Sequence, residues 1–177
     1  MQIETSRFGM IEAGDRDILS FPQGMLGFSK IHQYVLVERV DDALFLWLQA
    51  VKKPSIAFPL LEPQIFEMNY KIELTEEDRK ILSIQDLAHT KIFSIVTIPS
   101  DPTKMTANLK APIVINLKNK KAMQVILHDL DYPIRHPIFN ELQSYCSAQQ
   151  KTIFPTTEAT AYQTIHFDEV TGEKSLG

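Results

Sequence analysis

Along most of the chain, apolar and polar positions alternate with a period of two. Ile3, Thr5 and Arg7 stand against Gln2, Glu4 and Ser6, and short runs of similar character recur at YVLVERV, LFLWLQAV, SIAFPLL, KIFSIVTI, APIVINL and AMQVIL. Successive side chains of an extended strand point to opposite faces, so such runs, rich in β-branched and aromatic residues, predict strands. Turn-forming residues separate them: AGD at 13–15, VDDA at 40–43, KKPS at 52–55, PSDPT at 99–103 and LKNKK at 117–121. Gly, Pro, Asn, Asp and Ser bend the backbone at small cost. Strands at these intervals predict an all-β fold, a small antiparallel domain that is barrel-like or sandwich-like.

The period changes in two places. At TEEDRKIL the Thr75 hydroxyl can accept from the amide of Asp78, and Glu76, Glu77 and Asp78 meet the positive end of the dipole. A short helix over 75–83 follows, with Ile81 and Leu82 toward the core. NELQSYCSAQQ predicts a second helix over 140–150, capped by Asn140, with Leu142, Tyr145 and Cys146 on one side. Beyond Phe154 the chain turns rich in Thr, Glu and Gly, with Tyr162, Ile165, Phe167 and Val170 as sparse apolar positions for one added strand. The expected division is a partner-binding domain over 1–139 and a partly ordered C-terminal extension over 140–177.

Composition narrows the classes of function. The 177 residues suit one domain, and 44% hydrophobic with 23% charged residues match a chain that folds. A net charge of −4 supplies no global attraction to a phosphate backbone, so direct nucleic-acid binding is not expected. Cys146 is the only cysteine of the sequence, so no disulfide can form within the chain. The longest apolar run, ALFLWL, falls far short of the roughly 20 residues that cross a bilayer. A cytoplasmic protein without membrane attachment is the expectation.

Candidate chemistry is sparse. FPQGMLGF, Phe21 to Phe28, places two glycines three apart, but Met25 and Leu26 fill the space where a phosphate cradle needs small residues and converging amides. A tight turn projecting Met25, Leu26 and Phe28 accounts for it better. His128, Asp131 and His136 in HDLDYPIRH are the residues a metal-dependent hydrolase would use, but a strand ending in a turn points them apart. No Ser sits in a nucleophile elbow, and adjacent Asp41 and Asp42 fit a hairpin turn better than an acid/base pair. Lys118, Lys120 and Lys121 would centre an RNA-binding barrel, yet they lack the interleaved aromatics of a stacking platform and read as a solvated hairpin tip. No catalytic residue, metal or cofactor is expected.

The segment DPTKMTANLKAPIVINLKNKKAMQVIL, together with FGMIE, FPQGMLGF and PSIAFPLLEP in this order, resembles the flagellar assembly factor FliW family from about Met1 to Ile138. The resemblance implies a small β-rich protein without catalytic residues that binds two partners, cytoplasmic flagellin and the RNA-binding translational regulator CsrA. It would relieve repression of flagellin synthesis by sequestering CsrA, and accumulating flagellin would restore repression. Two surfaces suit such docking, the turn with Met25, Leu26 and Phe28 and the irregular connection with Met105, Asn108 and Leu109, against the reading that their apolar members plug the barrel ends. For CsrA the carboxylates Glu62, Glu67, Glu73, Glu76 and Glu77 could face a basic surface. The protein alone is expected to be monomeric.

Overall fold

The computed structural model describes residues 1–40, 44–154 and 161–167. The chain opens with a hairpin, β1 (Gln2–Thr5) against β2 (Gly9–Glu12), that forms a small sheet of its own. Arg7 leaves the alternation there, because the strand ends at Thr5, and its guanidinium lies 4.4 Å from the Trp47 ring centroid. A 3₁₀ turn at Asp15–Asp17 leads into β3 (Leu19–Ser20), β4 (Gln33–Arg39), β5 (Leu46–Ala50) and β6 (Ala57–Leu61). Helix α1 (Glu76–Leu82) precedes β7 (Thr90–Thr97), β8 (Thr106–Ala107), β9 (Ile113–Asn116) and β10 (Ala122–Gln124). The chain then runs through β11 (His136–Pro137), α2 (Phe139–Ala148) and β12 (Tyr162–Thr164).

The main sheet is antiparallel in the order β10-β9-β7-β6-β5-β4-β12, with β3 also on β4, and β8 joining β7 to β11. Its ends meet. Ser20 of β3 bridges Lys121, next to β10, and its N–H donates to the Lys120 carbonyl at 2.8 Å. The all-β barrel expected from the alternation is therefore closed through one short strand.

Pleat alternation divides the buried residues between the two faces of this sheet. Leu19, Tyr34, Leu36, Leu48, Leu60, Phe93, Ile113, Ile115 and Ala122 come from every strand of the ring and pack with Phe21 and Met25 inside it. On the other face Val35 and Val37 pack with Ile3, Phe8 and Ile11 beneath the β1–β2 hairpin. A third cluster joins Leu61, Val96, Val114 and Met123 to Leu82 of α1 and to Leu142 and Cys146 of α2. Both faces of β4 are covered, which is why Tyr34 through Glu38 are all buried.

Helix α1 starts where its cap predicts: the Thr75 hydroxyl accepts from Asp78 N at 3.1 Å, and Asp78 Oδ2 accepts from Thr75 N at 2.9 Å. Leu82 is fully buried and Ile81 half-buried. Helix α2 corrects the expected cap. It starts at Phe139 behind Ile138, which makes no side-chain cap, and Asn140 lies within the first turn. Buried Ile138 fixes the entry instead, with its N–H donating to Met105 O at 3.2 Å. The residues assigned to the extension complete the packing: Leu142 and Cys146 enter the third cluster, Ile165 enters the ring, and β12 pairs with β4. The expected turn at Asp41 and Asp42 and the apolar position Val170 lie outside the described residues.

Candidate protein-docking groove

FPQGMLGF folds as successive β-turns. Gly24 N donates to Phe21 O at 2.9 Å, closing a turn with Pro22 at its second position, and Phe28 N donates to Met25 O at 2.8 Å across Leu26 and Gly27. Gly27 has φ +83°, the value a type II turn demands at its third residue. Gly24 has φ +66° and packs against the backbone of Phe28 and Ser29, leaving no room for a side chain. These glycines serve turn geometry. Met25 is driven into the ring at 3% exposure, while Leu26 projects outward at 53%.

Leu26 is held from a distant strand. Its N–H donates to Gln124 Oε1 at 3.1 Å, and Gln124 Nε2 donates to Ala111 O at 3.1 Å. Beside this turn runs a groove of about 750 Å³ between the Leu26 turn, the first turns of α1 and the segment Met123 to His128. Leu26, Ile81, Met123 and Ile126 make it partly apolar, and Glu76, Glu77 and Asp78 give its α1 wall three carboxylates against one ammonium, Lys80. Lys80 reaches Glu76 only at 3.9 Å with both side chains exposed, a pair worth well under about 1 kcal/mol that leaves the wall acidic. Asp78 is engaged in the cap, so Glu76 and Glu77 are the carboxylates turned to solvent.

The wall carrying α1 is fixed by the β9–β10 connection. Asn116 Nδ2 and Asn119 Nδ2 both donate to the Leu82 carbonyl, at 3.0 and 3.1 Å, at the end of the helix. Lys121 Nζ donates to Ser83 Oγ at 3.0 Å. The lysine tip expected at 118–121 is therefore partly engaged with the helix end: Lys118 is exposed, whereas Lys120 and Lys121 are half-buried.

Of the six residues expected to contact partners, Leu26 lines the groove and Phe28 is half-buried with its ring edge-on to Phe58 at 5.3 Å. Met25, Met105 and Leu109 are corrections: they are 3%, 0% and 1% exposed, packed in the cores where ring closure puts them. A carboxylate at these positions would unfold the protein before it tested a surface. Asn108 is a turn residue, its Oδ1 accepting from Lys110 N at 3.1 Å and Ala111 N at 3.0 Å. His128 and Asp131 are exposed, and the His136 ring lies 6.0 Å from that of Phe66. Among the described residues no three His, Cys, Asp or Glu side chains gather as metal ligands would. Sequence reasoning overlooked Gln124 and Ile126. Their signal is parity: past the end of β10, Ile126 and His128 continue the outward positions that alternate with buried Met123, Val125 and Leu127.

A family model described as FliW protein matches residues 2–138, more than three quarters of the chain. The chain belongs to the FliW family. Its similarity to a flagellar assembly factor FliW of Bdellovibrio bacteriovorus is 48% identity over 143 residues, covering 81% of this chain and 82% of the relative. A flagellar assembly factor FliW of Thermoanaerobacter pseudethanolicus is 44% identical over 145 residues, covering 81% of this chain and 97% of that one. A crystal structure of the flagellar assembly factor FliW superposes with a TM-score of 0.73 at 34% identity, over 78% of this chain and 97% of the other. Every residue of the groove lies within the FliW match, whereas α2 and β12 lie beyond its end. Among the described residues no helix is long and apolar enough to cross a membrane.

Proposed function

We propose that this chain is a cytoplasmic flagellar assembly factor that works by docking proteins, with flagellin and CsrA as its partners and no reaction of its own. The observation that carries this reading is the groove at Leu26, which joins a partly apolar floor to an acidic wall and has both walls hydrogen-bonded to the β9–β10 hairpin. An RNA-binding regulator presents a basic surface, and carboxylates placed beside exposed apolar groups complement such a surface in charge and in area. The names of the relatives supply the flagellar context. In this scheme the factor withdraws CsrA from flagellin mRNA, and newly made flagellin withdraws the factor from CsrA.

Calorimetric titration of the purified monomer with flagellin and with CsrA tests the reading. Near-equal stoichiometry is expected for each partner. Leu26→Asp should weaken docking at least tenfold, and Glu76→Lys with Glu77→Lys should weaken CsrA binding and flatten its dependence on salt. Wild-type affinity for both partners in folded Leu26→Asp and Glu76→Lys/Glu77→Lys variants would remove the groove from the scheme.

A further inference from the structure

The edge of β4 is filled by a strand from outside the FliW match. β3 pairs only with Gln33 and Tyr34, and the remainder of that edge, Val37 to Arg39, is met by β12 in the register Tyr162↔Arg39, Gln163↔Glu38 and Thr164↔Val37. Two further bonds extend the ladder, Val40 N to Ala161 O at 3.1 Å and Ile165 N to Leu36 O at 2.9 Å. The family model ends at residue 138, so within the matched part of the chain this half-edge has no strand upon it. An open edge of that kind is a template for pairing with an added strand.

The Tyr162 ring packs on Phe8 with centroids 4.9 Å apart, the Thr164 hydroxyl donates to Glu12 O at 3.0 Å, and Ile165 is 6% exposed in the ring core. His166 Nδ1 meets Asp17 Oδ1. Asp17 is the second, independent pointer. Its side chain is only 3% exposed, one carboxylate oxygen is held by Gly14 N at 2.6 Å, and the other is directed at the position His166 takes. A carboxylate buried in the matched domain and aimed at a strand from outside it is a recognition element, because a buried charge needs a partner.

We propose that the β4 edge with Phe8, Glu12 and Asp17 is an acceptor site for an extended segment of a partner protein, and that residues 161–167 are its resident, displaceable occupant. The resident defines the chemistry of the ligand: an aromatic residue, a hydroxyl two positions on, an aliphatic residue at the third and an imidazole or ammonium group at the fourth. Main-chain bonds to β4 supply affinity, while the ring on Phe8 and the donor group on Asp17 supply selectivity. This site is separate from the Leu26 groove and does not depend on the partners assigned there.

The test uses the full chain and a fluorescein-labelled peptide with the sequence of residues 161–167, followed by anisotropy. Two variants open the site: Ile165→Pro, which removes the N–H bonded to Leu36, and the gentler Tyr162→Asp with His166→Ala. Both should bind the peptide at least tenfold more tightly than wild type, whose own strand competes, and a scrambled peptide should not bind. Asp17→Asn in the Tyr162→Asp/His166→Ala background should weaken the peptide several-fold. Four results would overturn the proposal: folded variants that bind no better than wild type, equal binding of the scrambled peptide, variants that pair with a second copy in place of the peptide, or unfolding of both, which would make β12 an indispensable part of the fold.

Discussion

Replacing Gly24 by alanine should destabilise the protein more than the same change at Gly27, although both glycines lie in one loop at positive φ. At Gly24 an added Cβ would stand 2.6 Å from the Phe28 carbonyl oxygen and 2.7 Å from the Ser29 Cα, both backbone atoms that cannot rotate away. At Gly27 nothing lies within 4 Å. The left-handed conformation alone costs an L-residue about 1–2 kcal/mol, so Gly27→Ala should lose about that much. Gly24→Ala carries the same term plus the shift of the 28–29 backbone, an overlap of the kind that costs about 1–3 kcal/mol, for a total of about 2–5 kcal/mol. Urea unfolding of the two variants at fixed pH measures the difference, and thermal midpoints should follow at roughly 2–4 °C per kcal/mol for a chain of this size. Equal losses at the two positions, or a Gly24→Ala variant within about 0.5 kcal/mol of wild type, would refute the packing argument.

Tyr34→Phe should leave stability unchanged or raise it, because the fully buried Tyr34 hydroxyl has no hydrogen-bond partner among the described residues, and urea melts check this. Stability should fall as pH rises from about 10 toward 12: burial pushes the Tyr34 phenol up to about 12, and burial with Tyr132 beside it pushes Tyr70 up as well. Over that range the unfolded chain releases protons that the folded chain keeps, which favours unfolding, and Tyr34→Phe should flatten the profile. Asn116→Ala removes a donor from the Leu82 carbonyl and should cost about 1–3 kcal/mol, measured by urea melts. Gln124→Met keeps the bulk but loses the bonds to Leu26 N and Ala111 O; it should weaken partner binding several-fold in calorimetry while the thermal midpoint moves by only about 2–4 °C.

The barrel was legible because its information is local. The β-branched and aromatic runs of β4, β5, β7 and β9 and the Thr75 cap each act within a few residues, and each element formed where those residues stand. β8 and β11, two residues each, escape any periodicity argument, since they are strands only through pairing with each other and with β7. The Asn140 cap misled because a buried Ile138, anchored to Met105, sets the entry to α2. The exposure of Leu26, Glu76 and Glu77 at the candidate groove was legible, and the rest of its lining was obscure for the same reason. Whether Met25 or Leu26 faces solvent depends on which side of the turn meets the ring, and that is settled by closure between β3 and Lys121, far along the chain.

The β9–β10 hairpin organises both walls of the groove, and this bears on how tightly a partner can be held. Asn116 and Asn119 fix the end of α1, and Gln124 fixes the Leu26 turn. A groove with both walls already hydrogen-bonded loses little ordering entropy when a partner arrives, so more of its contact energy appears as affinity. The floor itself is limited. Leu26 at 53% and Ile126 at 38% exposure have only part of a side chain left to bury, on the order of 1 kcal/mol each. Such a floor cannot hold a partner alone, since a stable interface buries about 1,600 Å² in total. A partner docked as proposed would have to spread beyond the groove, where the exposed carboxylates of α1 stand beside it. In the proposed complex, charge would govern the rate of encounter and its sensitivity to salt, while the apolar contact at Leu26 would govern how long the complex lasts.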